Sequence, residues 1–101
     1  QSMGTKPKYL LSRRAKADLE AIWLYGFETW SLSQAEAYTA GLYDCFDMIG
    51  DLPGIGRKAF HLRPKLLRFE HESHTIFYRT KGKKPFITRI LHAKMDSERH
   101  A

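Results

Sequence analysis

The stretch RILHAKMD, residues 89–96, ends an apolar run in a histidine and a lysine. Those two side chains can do chemistry. An imidazole titrates near neutrality and moves protons, and an ammonium or guanidinium can neutralise charge that builds on a phosphate in its transition state. His92 and Lys94, with Arg68, Arg79 and Arg89 on the apolar runs before them, are therefore candidates for one of two roles. They form either a phosphodiester-cleaving site or a cationic edge that grips a partner through charge-assisted hydrogen bonds. Histidines also bind metals. However, His71, His74 and His92 fall on separate segments with no carboxylate at a ligand-like spacing, so no metal or other cofactor is expected. Gly54 and Gly56 stand beside Arg57 and Lys58 as in a phosphate-cradling loop, but no helix pattern follows and no Gly-Lys-Ser/Thr completes it. That segment reads as a connector.

The elements that must position these residues are legible from periodicity. Tyr9, Leu10 and Leu11 form a short apolar strand, and Ser12 is a helix N-cap. Leu19, Ile22, Trp23, Gly26 and Trp30 then recur at helical spacing. WSLSQAE offers two overlapping capping boxes, Ser31 with Gln34 and Ser33 with Glu36. A second stripe follows in Ala35, Tyr38, Leu42, Cys45, Phe46 and Ile49, and the aromatics of both stripes are expected in the core. Cys45 on that stripe reads as a buried thiol, and a single cysteine excludes an internal disulfide. Pro53, Gly54 and Gly56 end the helical hairpin. LLRFEH, HTIFYRT and PFITRILH then read as three strands of an antiparallel meander, the last two joined by the turn KGKK. Helices that bury one stripe each must lie on one face of such a sheet, giving a two-layer α+β fold whose opposite face is free. Lys81, Lys83 and Lys84 in the turn read as solvated surface.

Charge is unevenly placed. Residues 1–52 carry five Lys/Arg against seven Asp/Glu, whereas residues 53–101 carry twelve against four. The second half should therefore meet an anionic partner: nucleic acid, ribosome or an acidic protein. No apolar stretch is long enough to span a membrane and no signal-peptide core is present, so a cytoplasmic chain with no membrane contact is expected. Residues 1–3 read as a cleaved-tag remnant and start Met, and residues 4–101 as one domain.

LSRRAKADLEAIW, LPGIGR, LLRF with HTIFYR, and RILHAKMD, in this order from about residue 8 to 99, resemble the RelE/ParE toxin superfamily of type II toxin–antitoxin systems, and most closely its ParE, or plasmid-stabilisation, branch. The resemblance implies the two-layer fold above and one of two activities. RelE-like members cut mRNA on the ribosome; ParE-like members poison DNA gyrase and lack the nuclease residues. Where the nuclease branch carries an arginine before an apolar pair and a tyrosine, this chain has Thr75. Leu66 and Arg68 replace its spaced basic pair, Lys94 keeps a charge near an arginine position, and the last tyrosine is Tyr78.

Arg68, His92 and Lys94 thus remain for the nuclease reading, a partial grip without a complete acid–base pair. The resemblance favours a non-enzymatic gyrase toxin with Arg68, Arg79, Arg89, His92 and Lys94 as target contacts. It also implies a ParD-like antitoxin with a flexible C-terminal segment that folds on the toxin, and operator DNA bound only through that complex.

Overall fold

A computed structural model describes residues 7–82 and 84–95; the expectations for residues 1–3, Lys83 and the tail 96–101 fall outside them. Strand β1 (Leu10–Leu11) leads into helices α1 (Arg13–Thr29) and α2 (Leu32–Asp51). Strands β2 (Arg57–Lys58), β3 (Leu67–His71), β4 (His74–Lys81) and β5 (Lys84–His92) follow. The sheet runs β1-β5-β4-β3-β2, antiparallel throughout except for β1, which lies parallel to β5. The α+β class, the hairpin and the three-stranded meander are as the sequence predicts. The two-residue β2, inside the expected connector, adds a fourth antiparallel strand.

Local chemistry explains the helices. Ser12 accepts from Ala15 N at 2.9 Å and Ser31 from Gln34 N at 3.1 Å, each satisfying an amide that the first helical turn leaves without a partner. Of the two overlapping boxes, the first supplies only its serine cap, because Ser31 N–H goes to Gly26 O, and Ser33 lies inside α2 with its hydroxyl 3.3 Å from that of Ser31. The hairpin closes on Gly26, whose carbonyl accepts from Trp30 N and Ser31 N at 2.9 and 3.2 Å. A Cβ at Gly26 would stand 3.3 Å from Ala35, so this glycine permits the close crossing of the two helices.

Ala15, Leu19, Leu42, Cys45, Phe46 and Ile49 of the hairpin pack on Ile76, Tyr78, Ile87 and Ile90 of the sheet. Strict alternation would send Ile87 and Ile90 to opposite faces. A β-bulge resolves this: Phe77 pairs with Arg89 and Tyr78 with Ile87, leaving Thr88 as the extra residue. Ser12 ties the bulge to the helix start through its bond to Thr88 O at 2.8 Å.

Two expectations change. The second sheet face is not wholly free, because Ala59, Leu62 and Leu66 fold back over Phe77 and Leu91 as a small second core. Trp30, placed in the core by its spacing, is 56% exposed, and Trp23, placed there likewise, is half-buried and stacks on exposed Phe27 outside both cores. The hairpin tip passes the end of the sheet, where Trp30 and Tyr25 border a groove rather than a core. No helix among the described residues is long and apolar enough to cross a membrane.

Candidate partner-binding surface

The sheet separates the candidate residues into two groups. Leu67 and Phe69 pack toward the helices, so Arg68 between them points to the other face, opposite Phe77 of the second core. Arg57 pairs with Arg68 across β2–β3. Both guanidiniums donate to Glu70 Oε2, Arg57 at 3.0 Å and Arg68 at still closer range. Arg68, with Arg57 beside it, holds the Glu70 carboxyl below the usual carboxylate range. Thr75 sits opposite Glu70, buried, and Arg79 is exposed further along β4.

His92 belongs to the opposite, helix-covered side. It pairs with His74, their rings 5.3 Å apart, and His74 pairs in turn with His71, so three imidazoles cross the end of the sheet in one row. Tyr38 of α2 brings its hydroxyl to 2.6 Å from His74 Nδ1. Lys94, exposed beyond β5, donates its backbone N–H to His92 Nδ1 at 3.1 Å, which keeps that nitrogen an acceptor. His74 and His92 of the row border a groove of about 680 Å³ that Tyr25, Trp30 and Tyr38 also line. Arg68 and His92 are thus on different faces and cannot close on one phosphate.

Arg89 pairs with Phe77 and so leaves the backbone on the face of Arg68, but its guanidinium is taken by α1. Its Nε and NH2 reach Asp18 of α1 at 2.8 and 3.0 Å, a two-point fork with both side chains nearly buried. Asp18 Oδ2 also accepts from Ile90 N at 2.9 Å, on the stretch of β5 that β1 does not pair. The carboxylate therefore continues the sheet edge where a strand is missing.

Comparisons with known proteins agree with this architecture. The sequence profile of the ParE toxin of type II toxin-antitoxin system, parDE, matches residues 9–97. The chain belongs to the ParE toxin family. It is 41% identical to Toxin ParE1 of Caulobacter vibrioides over 92 residues, covering 91% of this chain and 95% of that one. It is 38% identical to Toxin ParE1 of Mycobacterium tuberculosis over 94 residues, with 92% and 96% covered. A solved structure described as a chromosomal ParDE TA system from P. aeruginosa matches the fold with a TM-score of 0.74 at 20% identity, covering 88% and 100% of the two chains.

Two features of this ParE-family chain escape the sequence. Arg57 reads only as part of a connector and Glu70 is not singled out, because their partnership depends on the register between β2 and β3. The histidine row depends likewise on two strand registers, although the even spacing of His71 and His74 about a two-residue turn was a signal for the first pair. Among the described residues no group of three or more metal-binding side chains is arranged to hold an ion.

The row does predict a pH response. Burial, and then the nearby His92 and His71, lower His74 from 6.5 to about 4, against a weaker opposing pull from Asp18. Between those values the unfolded chain binds a proton that the folded chain refuses, so stability is full above pH 6.5 and declines as the pH falls toward 4. Allowing for the half-open setting, the loss should be about 1–2 kcal/mol. Urea unfolding of the wild type and His74→Phe at both ends of this window checks it: the variant should show a smaller drop, and equal drops would refute the assignment.

Proposed function

We propose that this toxin inhibits DNA gyrase without catalysing a reaction, and that a cognate ParD-like antitoxin neutralises it in the cytoplasm. The observation that carries the reading is the placement of Arg68 and His92 on opposite faces of the sheet. A ribose-activated cleavage needs a cation and a proton-transfer group at the same phosphate, and such groups fail when separated. Family membership supports the same reading.

Inhibition then rests on binding. Arg68, Arg79 and Lys94 are the exposed or half-exposed cations of the candidate set, and they are the contacts this reading assigns to the target. His92 is exposed at the groove mouth, and Arg89 acts by holding α1 to the sheet. Leu24, Tyr25, Phe27, Trp30 and Leu32 are all about half exposed on the hairpin, a surface of the kind that partners cover. An amphipathic antitoxin segment suits that surface with its apolar side and the basic half of the toxin with acidic side chains. Sequence-specific contact with operator DNA comes through the antitoxin complex.

The test is purified full chain in a gyrase supercoiling assay, beside stalled ribosomes carrying labelled mRNA. Supercoiling should stop while the message stays intact. Codon-position cleavage with unimpeded supercoiling would establish a RelE-like ribonuclease instead.

A further inference from the structure

The basic sheet face contains an anion site that the chain fills with its own carboxylate. Arg57 and Arg68 each give one N–H to the same Glu70 oxygen. A guanidinium engages an anion most strongly through two parallel bonds, and neither arginine achieves that here. Arg68 Nε, moreover, is buried without a hydrogen-bond partner, although buried donors nearly always find one. Glu70 is therefore a resident counter-ion that leaves guanidinium donors unused. It is also the lone carboxylate among the described residues of β2 to β5. Arg57 is 71% and Glu70 48% exposed, so a ligand can reach both without any strand opening.

We propose that Arg57 and Arg68 form a phosphate-binding site for the backbone of duplex DNA, closed in the free chain by Glu70 and opened when a phosphate takes the place of its carboxylate. An acidic protein side chain would replace one carboxylate with another and gain little. A phosphodiester, like a carboxylate, offers two free oxygens, one for each guanidinium, so the distinction lies in repetition along the duplex. A duplex also repeats that charge about every 1.7 Å, so neighbouring phosphates meet the exposed Arg63, Lys65 and Arg79. The contact is independent of base sequence. Its role, holding the DNA that gyrase is processing, rests on the function proposed above; the binding itself does not.

The experiment is fluorescence anisotropy of a labelled duplex of about 20 base pairs of mixed sequence, titrated with full-length chain across roughly 50–200 mM salt. Glu70→Gln should tighten binding about three- to fivefold, the scale of one exposed ion pair. Glu28→Gln removes the same charge from α1 on the other layer and should change affinity much less. Arg57→Ala and Arg68→Ala should each weaken binding and reduce the slope of log K against log salt by about 1. Arg57 is exposed enough that its replacement leaves the fold intact, so its result stands whatever happens to Arg68→Ala. The site is refuted if Glu70→Gln gains no more than Glu28→Gln, if Arg57→Ala leaves the slope unchanged, or if polyglutamate displaces the chain as effectively as DNA of equal charge. Binding as expected with undisturbed gyrase would refute only the gyrase reading.

Discussion

Asp18→Ala should destabilise the chain by about 3–5 kcal/mol, the cost of breaking a buried ion pair from one side. The side chain does three things at once. It accepts from Arg89 Nε and NH2, and it accepts from the Ile90 amide at the edge of β5. Truncation strands a guanidinium whose side chain is only 11% exposed and leaves a strand-edge amide without its acceptor. Asp18→Asn should cost less, because an amide oxygen can still take the Ile90 bond while the charge pairing is lost. Since 1 kcal/mol moves the melting temperature of a domain this size by about 4–8 °C, Asp18→Ala should lower it by at least about 12 °C. Arg89→Ala alone should be comparably damaging, and the double variant should cost far less than the sum because the two residues act as one unit. Urea unfolding of the four chains decides this. A loss below about 1 kcal/mol for Asp18→Ala would show that solvent already reaches the pair. The result also bears on target binding, since any loss of inhibition by Arg89→Ala must be read against its loss of fold.

Arg89 shows where sequence reasoning stops. The helices, their stripes and their serine caps were legible because each signal lies within one turn of the chain. Strand identity was legible too, since β-branched and aromatic residues cluster in HTIFYRT and PFITRILH. Side-chain direction in β5 was not. Alternation puts Ile87, Arg89 and Leu91 on one face, whereas the bulge at Thr88 turns Ile87 to the helices with Ile90. Nothing local in ITRI marks a bulge, and the bulged Thr88 meets Ser12, more than 70 residues away in the chain. The partnership of Arg89 with Asp18 is equally distant in sequence.

The candidate surface divides along the same line. Its cations were found, because charge and residue type are visible in any sequence. Their grouping was not, because Arg68 and His92 lie on neighbours of the same strand, β4, and only the parity of each register puts them on different faces. The segment after Pro53 was underestimated for a related reason. Ala59, Leu62 and Leu66 have helical spacing, but the segment is too short and is broken by Pro64, so it folds as turns; in that form the three cover Phe77 and Leu91 beside β2.

That placement depends on Gly56, and Gly56→Ala should be the most disruptive small change to the basic face. The Tyr78 hydroxyl, buried under the loop, donates to Pro53 O at 2.7 Å and accepts from Gly56 N at 2.8 Å, pinning the end of the hairpin to the sheet. A Cβ on residue 56 would lie 2.6 Å from that hydroxyl and 2.8 Å from the Arg68 carbonyl, closer than real contacts allow. One obstacle is backbone and the other is a fully buried ring, so relief must come from the loop moving away. Both tyrosine bonds and the Arg57–Arg68 pairing then weaken together. Overpacking and the lost bonds should cost about 2–4 kcal/mol. Tyr78→Phe should cost less, about 1–2 kcal/mol, since it removes the bonds without a clash. The two changes should also be non-additive: with the hydroxyl gone, part of the obstruction goes too, so Gly56→Ala should cost less in Tyr78→Phe than in the wild type. Full additivity in urea unfolding would mean that the Arg68 carbonyl and the ring edge of residue 78, each 2.8 Å from the added Cβ, set the limit. Because Arg57 follows directly on Gly56, displacement of β2 should also separate the two guanidiniums, and the salt dependence of DNA binding should fall toward that of Arg57→Ala even though no charge has been removed.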